Sequence, residues 1–406
     1  MLCARQRPPA MDAETLFFLT ALLLPVAALS GWYFGRREPL STAVALREHN
    51  QQIANDYFRG LNYLLHDRPD KAIEVLVRVL EVDTDTIETH LALGNLFRRR
   101  GEVDRAIRIH QNLVARDALA PAQRAQAVFE LGLDYMRSGL LDRAESLFLE
   151  LLELGMLQPQ ALRHLIDIYQ QERDWDKALT FSARLESLNG DNLSVERGHY
   201  LCEQAVEALD ANRRTDAQDL LEKALLADRR CARASLMLGG LALAQREHER
   251  AIQALKRVEH QDPELLSESI ALLARCYREL DRLEDFRDYL ERLAGQRLGT
   301  APMLEVAGLI EAHEGAAAAK QYVVQELKLR PSLKGLERLV DYALRDDARE
   351  APEDLQLLRE TSARLIASKA TYQCSQCGFA GRSLHWQCPG CKSWNKIKPI
   401  HGSEAE

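Results

Sequence analysis

From about Glu48 to Leu329 apolar residues recur at helical spacing, in short runs separated by polar breaks. The stretch Gly94–His110, GNLFRRRGEVDRAIRIH, shows the unit most plainly. It reads as the end of one helix, a turn at Gly101 and the start of a second. Gly94, Phe97, Gly101, Ala106 and His110 stand at offsets 0, +3, +7, +12 and +16. Small residues at the first and fourth offsets let two antiparallel helices approach closely, with larger residues interlocking around them.

The same frame can be laid along most of the chain. Its first small position falls at Gly60, Gly94, Gly132, Ile166, Ala205, Gly239, Ala274 and Ala307, with separations of 34, 38, 34, 39, 34, 35 and 33 residues. Its second small position gives Ala72, Ala106, Ala144, Ala178, Ala217, Ala251, Phe286 and Ala319. Aromatics follow the first position by three at Tyr63, Phe97, Tyr135, Tyr169 and Tyr277. A period near 34 with small, aromatic, turn, small and bulky slots is that of the tetratricopeptide repeat. The expected fold class is therefore all-α: a tetratricopeptide-repeat superhelix over residues 48–330. Such an array can use the chain's 406 residues as one body.

Two further helices, Leu333 to Leu344 and Pro352 to Ile366, are expected over residues 331–369, where the repeat frame fades. They would cap the array, with Asp346 to Pro352 as a loop between them. The polar faces carry runs such as Arg98-Arg99-Arg100 and Glu247-His248-Glu249-Arg250, expected to be solvated outer surface.

Ahead of the repeats, Thr15–Phe34 is a stretch of 20 residues without a charge, TLFFLTALLLPVAALSGWYF. As a helix it matches the thickness of a bilayer's hydrocarbon core. Trp32 and Tyr33 suit the interface, and Arg36 and Arg37 follow at once. Residues 1–14 would be an N-terminal extension, 15–34 a transmembrane helix and 35–47 a juxtamembrane linker. A cleaved leader ending at Ala28-Leu29-Ser30 is the rival, but apolar and aromatic residues continue past that site to Phe34. Arg36, Arg37 and Arg47 after the helix, against Arg5 and Arg7 before it, put the C-terminal side in the cytoplasm. Met11 is an alternative start, and from there the bias is stronger.

The net charge of −8 argues against nucleic acid as a partner. No phosphate loop, nucleophile elbow or Ser/His/Asp arrangement is found, and His90, His110, His164 and His199 have no mutual spacing of a metal site. The expectation is a protein that is not an enzyme. Cys202, Cys231 and Cys276 fall inside predicted helices and read as small buried hydrophobes.

Residues 370–400 change character. Cys374 and Cys377 form one C-x-x-C, and Cys388 and Cys391 a second, with ten residues between them. Each pair can wrap one side of a metal as a knuckle, and four thiolates close a tetrahedral site for zinc or iron. Gly378 suits the tight turn after the first knuckle and Pro389 stiffens the second. So short a segment needs the metal to fold. The structural reading is a zinc ribbon, and the redox reading a one-iron electron carrier. Arg382, Lys392, Lys396 and Lys398, interleaved with Trp386 and Trp394, leave nucleic-acid binding by the ribbon as a third option. Residues 401–406 form a tail.

With membrane stretch, repeats and knuckles in that order, the chain resembles the lipopolysaccharide assembly protein B family. The most specific pieces are GWYFGRR after the apolar stretch, LGNLFRRRGEVDRAIRIHQ in the second repeat, and CGF, WQCPGCKSW and IKPI at the end. The segment Met1 to Ala10 departs from the family's pattern. The resemblance implies an inner-membrane protein of Gram-negative bacteria whose cytoplasmic repeats pack against a rubredoxin-like metal domain. It implies metal ligands at Cys374, Cys377, Cys388 and Cys391. It also implies a regulatory role, limiting lipopolysaccharide synthesis with a membrane-bound AAA+ protease that degrades the lipid A pathway deacetylase. Other lipopolysaccharide assembly proteins would be further partners, and a homodimer is compatible with the pattern. A general scaffold for envelope complexes and an iron-dependent electron-transfer protein are the alternatives.

Overall fold

The small residues that recur along the chain are the points at which paired helices touch. In the computed structural model, a Cβ added to Gly94 would lie 2.3 Å from the His110 ring, and one added to Gly132 would lie 2.8 Å from Phe148. At Gly60 and Gly239 the obstructing residues are Leu76 and Leu255. Each partner stands sixteen residues after its glycine, so the bulky slot of the second helix covers the small slot of the first. At Ile166 the same offset leads to Ser182, and both are buried. There the large and small members have exchanged places, which keeps the combined volume roughly constant.

The structure describes residues 21–33, 58–60, 62–63, 66, 68–82, 87–117, 119–293, 300–346 and 353–400. Residues 21–33 form α1, with exposed apolar side chains including Leu22, Leu24 and Trp32. The rest of the expected span 15–34, the linker 35–47, the loop 347–352 and the tail 401–406 lie outside the described residues. Among those that are described, no helix is long and apolar enough to cross a membrane.

The chain divides into two units, residues 1–161 and 162–406. In the first, α2 (Pro69–Val82), α3 (Ile87–Arg99), α4 (Val103–Val114), α5 (Pro121–Ser138) and α6 (Leu141–Glu153) follow the repeat frame, and α7 (Gln158–Glu172) begins. Its core gathers Ala72, Leu76, Leu93, Leu96, Phe97 and Ala106. The second unit continues with α8 (Trp175–Asn189), α9 (Ser194–Asp210), α10 (Arg214–Ala227), α11 (Ala232–Ala244), α12 (His248–Lys256) and a short α13 (Val258–Gln261). A single 3-10 turn, Pro263–Leu265, leads to α14 (Ser267–Glu279), α15 (Leu283–Leu293), α16 (Ala301–Glu314) and α17 (Ala316–Leu329). The expected capping helices are present as α18 (Leu333–Asp346) and α19 (Glu353–Ser368). Tyr342 of α18 is buried in the core of the last repeats, so the cap is packed and not merely appended.

The turn slot at offset +7 is left-handed in repeat after repeat. Gly101 (φ 83°) and Gly139 (φ 78°) accommodate this without a Cβ, whereas Arg173, Asn212, Arg246 and Asp281 adopt φ of 59°, 58°, 61° and 54°. At each turn the next amide reaches back five residues, as in Glu102 N to Phe97 O (2.9 Å) and Glu247 N to Ala242 O (2.8 Å). These are Schellman closures, and the geometry outlasts the glycine that announces it.

Two expectations are corrected here. Arg98 is not part of a solvated run: its guanidinium binds Asp134 Oδ1 (2.8 Å) and Glu130 Oε2 (2.7 Å), while Asp134 Oδ2 takes a 2.6 Å hydrogen bond from His110 Nδ1. The pull of two buried carboxylates turns this arginine inward while Arg99 and Arg100 stay exposed. Cys231 does not lie inside a helix; it stands at the N-cap of α11, where its Sγ meets that of buried Cys202 at 3.8 Å.

Candidate metal centre

Tyr372 to Pro399 folds as a three-stranded antiparallel sheet, β1 (Tyr372–Cys374), β2 (Ala380–Gly381) and β3 (Ile397–Pro399), in the order β2-β1-β3. Gln373 stands opposite both Ala380 and Lys398, and Cys374 opposite Ile397. The loop after β1 returns at Gly378, whose φ of 76° favours glycine and whose amide binds Cys374 O at 3.0 Å. The second loop closes the same way, with Lys392 N on Cys388 O at 2.9 Å.

These turns bring the four cysteines into one cluster, every Sγ within 4.8 Å of the others. The Cys374–Cys391 separation is 3.8 Å and Cys377–Cys388 is 3.6 Å. A tetrahedron with metal–sulfur distances of about 2.3 Å has edges of about 3.8 Å, which these two separations match. Backbone N–H groups support the thiolate form. The Cys377 amide lowers the Cys374 thiol and hydrogen bonds from Ser393 bring Cys391 down to about 6, whereas desolvation and the neighbouring thiols push Cys377 up to about 11 despite the Phe379 amide. Cys374 and Cys388 are buried and Cys377 is exposed, which leaves one corner of the cluster at the surface. Zinc and iron both suit this donor set.

The module's own core is small: Cys374, Cys388 and Ile397, with Tyr372, Phe379, Leu384 and Cys391 around them. The rest of its apolar surface is spent on the repeats. Trp394 is 5% exposed and stacks on His199 of α9, ring centroids 5.1 Å apart, with Trp175 and Tyr200 edge-on. Its indole N–H donates to Gln170 Oε1 of α7 at 2.8 Å, and Gln387 Nε2 donates to the same oxygen at 3.2 Å. Trp386 lies against the Arg233 guanidinium of α11, 5.6 Å from its ring centre, and with Leu384 packs on the core of the last repeats. Lys398 Nζ is paired with Asp262, and Tyr372 Oη donates to Glu268 Oε1 at 2.8 Å. Burial and the neighbouring Glu268 carboxylate push the Tyr372 phenol up. Burial, with Arg233 and Lys398 nearby, takes the His199 imidazole down to about 3, so it sits in this interface neutral.

The four predicted ligands are therefore brought together. The basic and aromatic residues considered for nucleic acid are not: Trp386, Trp394 and Lys398 face the repeats, and only Arg382, Lys392 and Lys396 are exposed. Gln170, His199, Arg233, Asp262 and Glu268 were missed by sequence reasoning. Each is an ordinary polar residue in the repeat pattern, and nothing in its spacing marks it as a receptor for the module.

Comparison with known proteins agrees with this division. Residues 372–399 match the rubredoxin metal binding domain, and residues 91–159, 129–191 and 202–265 match the tetratricopeptide repeat. A solved tetratricopeptide-repeat protein fragment from Cytophaga hutchinsonii aligns with 57% of this chain and 94% of its own, at 17% identity and a TM-score of 0.43. Lipopolysaccharide assembly protein B of Escherichia coli K12 is 40% identical over 385 residues, spanning 95% of this chain and 98% of the relative. That of Haemophilus influenzae is 35% identical over 398 residues, 95% and 99% of the two chains. At that identity over nearly the whole of both lengths, the chain belongs to the lipopolysaccharide assembly protein B family.

Proposed function

We propose that this protein is a non-enzymatic adaptor of lipopolysaccharide synthesis, tethered to the inner membrane by the 15–34 stretch with its bulk on the cytoplasmic side. The names of its relatives place them in lipopolysaccharide assembly. The finer reading is that it presents the lipid A pathway deacetylase to a membrane-bound AAA+ protease. Tethering would raise the effective concentration of the repeats toward both. Cys374, Cys377, Cys388 and Cys391 hold one metal ion, and the ion supplies the folding free energy of the module.

The observation that carries this reading is the docking of the module. Both tryptophans, Lys398 and Tyr372 are committed to α7, α9, α11, the Asp262 turn and α14. The centre thus acts as a clasp that fixes one geometry of the repeats, which is the work of a scaffold. The test is deacetylase half-life in a deletion strain carrying either the full chain or a chain starting at Glu48, with crosslinking to identify what lies on the repeats. Rapid turnover with the full chain alone is expected. Unchanged turnover on deletion would reduce the role to a general envelope scaffold.

The exposed Cys377 sulfur favours a second reading, electron transfer at iron. An optical spectrum of protein purified from its native host separates the two. A colourless zinc protein removes the redox reading.

A further inference from the structure

Cys202 lies midway along α9 and Cys231 at the N-cap of α11, yet both thiols end in one core between α9, α10 and α11. Cys202 is fully buried and Cys231 is 2% exposed. Their sulfurs are 3.8 Å apart. The turn that carries Cys231 is tightly held: Cys231 N donates to Asp228 O (3.0 Å) and Arg230 N to Asp228 Oδ1 (2.9 Å). Gly198 lets that turn approach α9, since a Cβ there would lie 3.2 Å from Asp228 Cβ and 3.7 Å from Cys231 Sγ. A disulfide is about 2.05 Å long, so the two sulfurs have about 1.8 Å to close between them.

The two thiols are not equivalent. Cys231 stands at a helix N-terminus, where the Ala234 amide donates to its sulfur and Arg233 is two residues on. Such surroundings favour a thiolate. The hydrogen bond from Cys202, with that amide, holds the Cys231 thiol below its ordinary range. The same bond and burial push the Cys202 thiol up. Cys276 is a contrast: burial pushes its thiol up, and no second sulfur adjoins it among the described residues. The pair thus has one member suited to attack and one that keeps its proton until it is needed.

The pair also joins the two helices on which the metal module rests. His199, three residues before Cys202 on α9, stacks on Trp394 and lies 5.9 Å from the Trp386 ring. Arg233, two residues after Cys231, lies 5.6 Å from the same Trp386 ring. It binds Oε1 of Glu203, the residue after Cys202, at 2.8 Å. Trp386 therefore rests on α9 and α11 at once, and their spacing sets its seat.

We propose that Cys202 and Cys231 form a redox modification site, in which hydrogen peroxide converts them to a disulfide that staples α9 to the start of α11. The Cys231 thiolate attacks one peroxide oxygen and the O–O bond breaks, giving a sulfenic acid and hydroxide. That hydroxide takes the Cys202 proton and leaves as water. The Cys202 sulfur then attacks the Cys231 sulfur and the S–O bond breaks. The second hydroxide leaves as water with the proton that Cys231 had released. Two thiols are oxidised by two electrons, and one peroxide is reduced to two waters. A thiol reductant reopens the bond. With α9 and α11 held at one spacing, the module they carry is released more slowly. The proposal rests on the docking geometry and not on the adaptor role.

The test is peptide mass spectrometry on the metal-loaded full chain after peroxide, alkylation and non-reducing digestion. The expected product is a linked peptide pair holding Cys202 and Cys231, lighter by two hydrogens and lost on adding dithiothreitol. It should form while the module keeps its metal and the helical circular-dichroism signal is unchanged. Cys231→Ala should abolish it. Cys202→Ala, lacking the resolving thiol, should leave a sulfenic acid on Cys231 that dimedone traps. In the oxidised wild type, proteolysis between Tyr372 and Ile400 should slow relative to the reduced chain; in Cys231→Ala, peroxide should not slow it. The wild-type linkage is read without any substitution, so it decides the matter even where a variant fails to fold. No linkage in folded, metal-loaded protein, or linkage only after the metal has left, would reduce the pair to apolar packing and overturn the proposal. Linkage with module proteolysis unchanged would overturn the staple.

Discussion

The indole N–H of Trp394 donates to Oε1 of Gln170, 2.8 Å away across 224 residues of chain. The same oxygen accepts from Gln387. One uncharged amide on a repeat helix thus anchors the second knuckle of the metal module by two donors at once.

Gln170→Ala should leave both donors unsatisfied, at a cost of about 1–3 kcal/mol to docking. Helix content should be unchanged. Hydrogen exchange over 386–395 should accelerate, while exchange in α14 to α17 stays slow. Protection equal to wild type would mean that the aromatic stack on His199 holds the module without this bond.

Gly94→Ala puts a Cβ into the His110 ring, which Asp134 holds in place. Overpacking of this kind costs about 1–3 kcal/mol. The damage should be confined to neighbouring repeats, as in other one-dimensional arrays. Thermal melting checks it: an unchanged midpoint would show that α3 and α4 do not touch at this slot.

Arg246→Gly should stabilise the array. The residue sits at φ 61°, where a Cβ costs roughly 1–2 kcal/mol, and glycine's extra chain entropy returns part of that. The expected gain is about 0.5–1 kcal/mol by denaturant titration. A loss would mean that the arginine side chain contributes more than its backbone strain removes.

Cys374→Ser, or a strong chelator, should release the metal and unfold the module, because its private core is only a few residues. Trp386 and Trp394 fluorescence should shift to the red while the helical circular-dichroism signal persists. Metal loss with the tryptophans still buried would show that docking alone holds the fold.

His199 gives the interface a pH dependence. Its folded pKa is depressed from 6.5 to about 3, so above pH 6.5 both states are neutral and nothing changes. As pH falls below 6.5 the unfolded chain takes up a proton that the folded chain refuses, and stability is lost until the folded group titrates near 3. Between pH 6.5 and 5.5 the wild type should lose roughly 1 kcal/mol more than His199→Phe, which keeps the stack and cannot titrate. Parallel profiles would place His199 in contact with water.

Much was determined by the sequence alone. A repeated frame of small and bulky residues dictates paired helices because each unit's contacts are local, so the period can be read from Gly94, Ala106 and His110 without knowing the rest of the chain. Two C-x-x-C pairs dictate a four-sulfur cluster for the same reason, since knuckle geometry is set within a few residues. Even the exchange of Ile166 and Ser182 is legible once the sixteen-residue offset is known. Tertiary structure alone decided what these modules do to each other. Nothing local distinguishes Gln170, His199, Arg233, Asp262 or Glu268 from other polar residues on a repeat; they became a receptor when the module's tryptophans came to rest on them. Arg98 turned inward because Glu130 and Asp134 arrive from the next repeat.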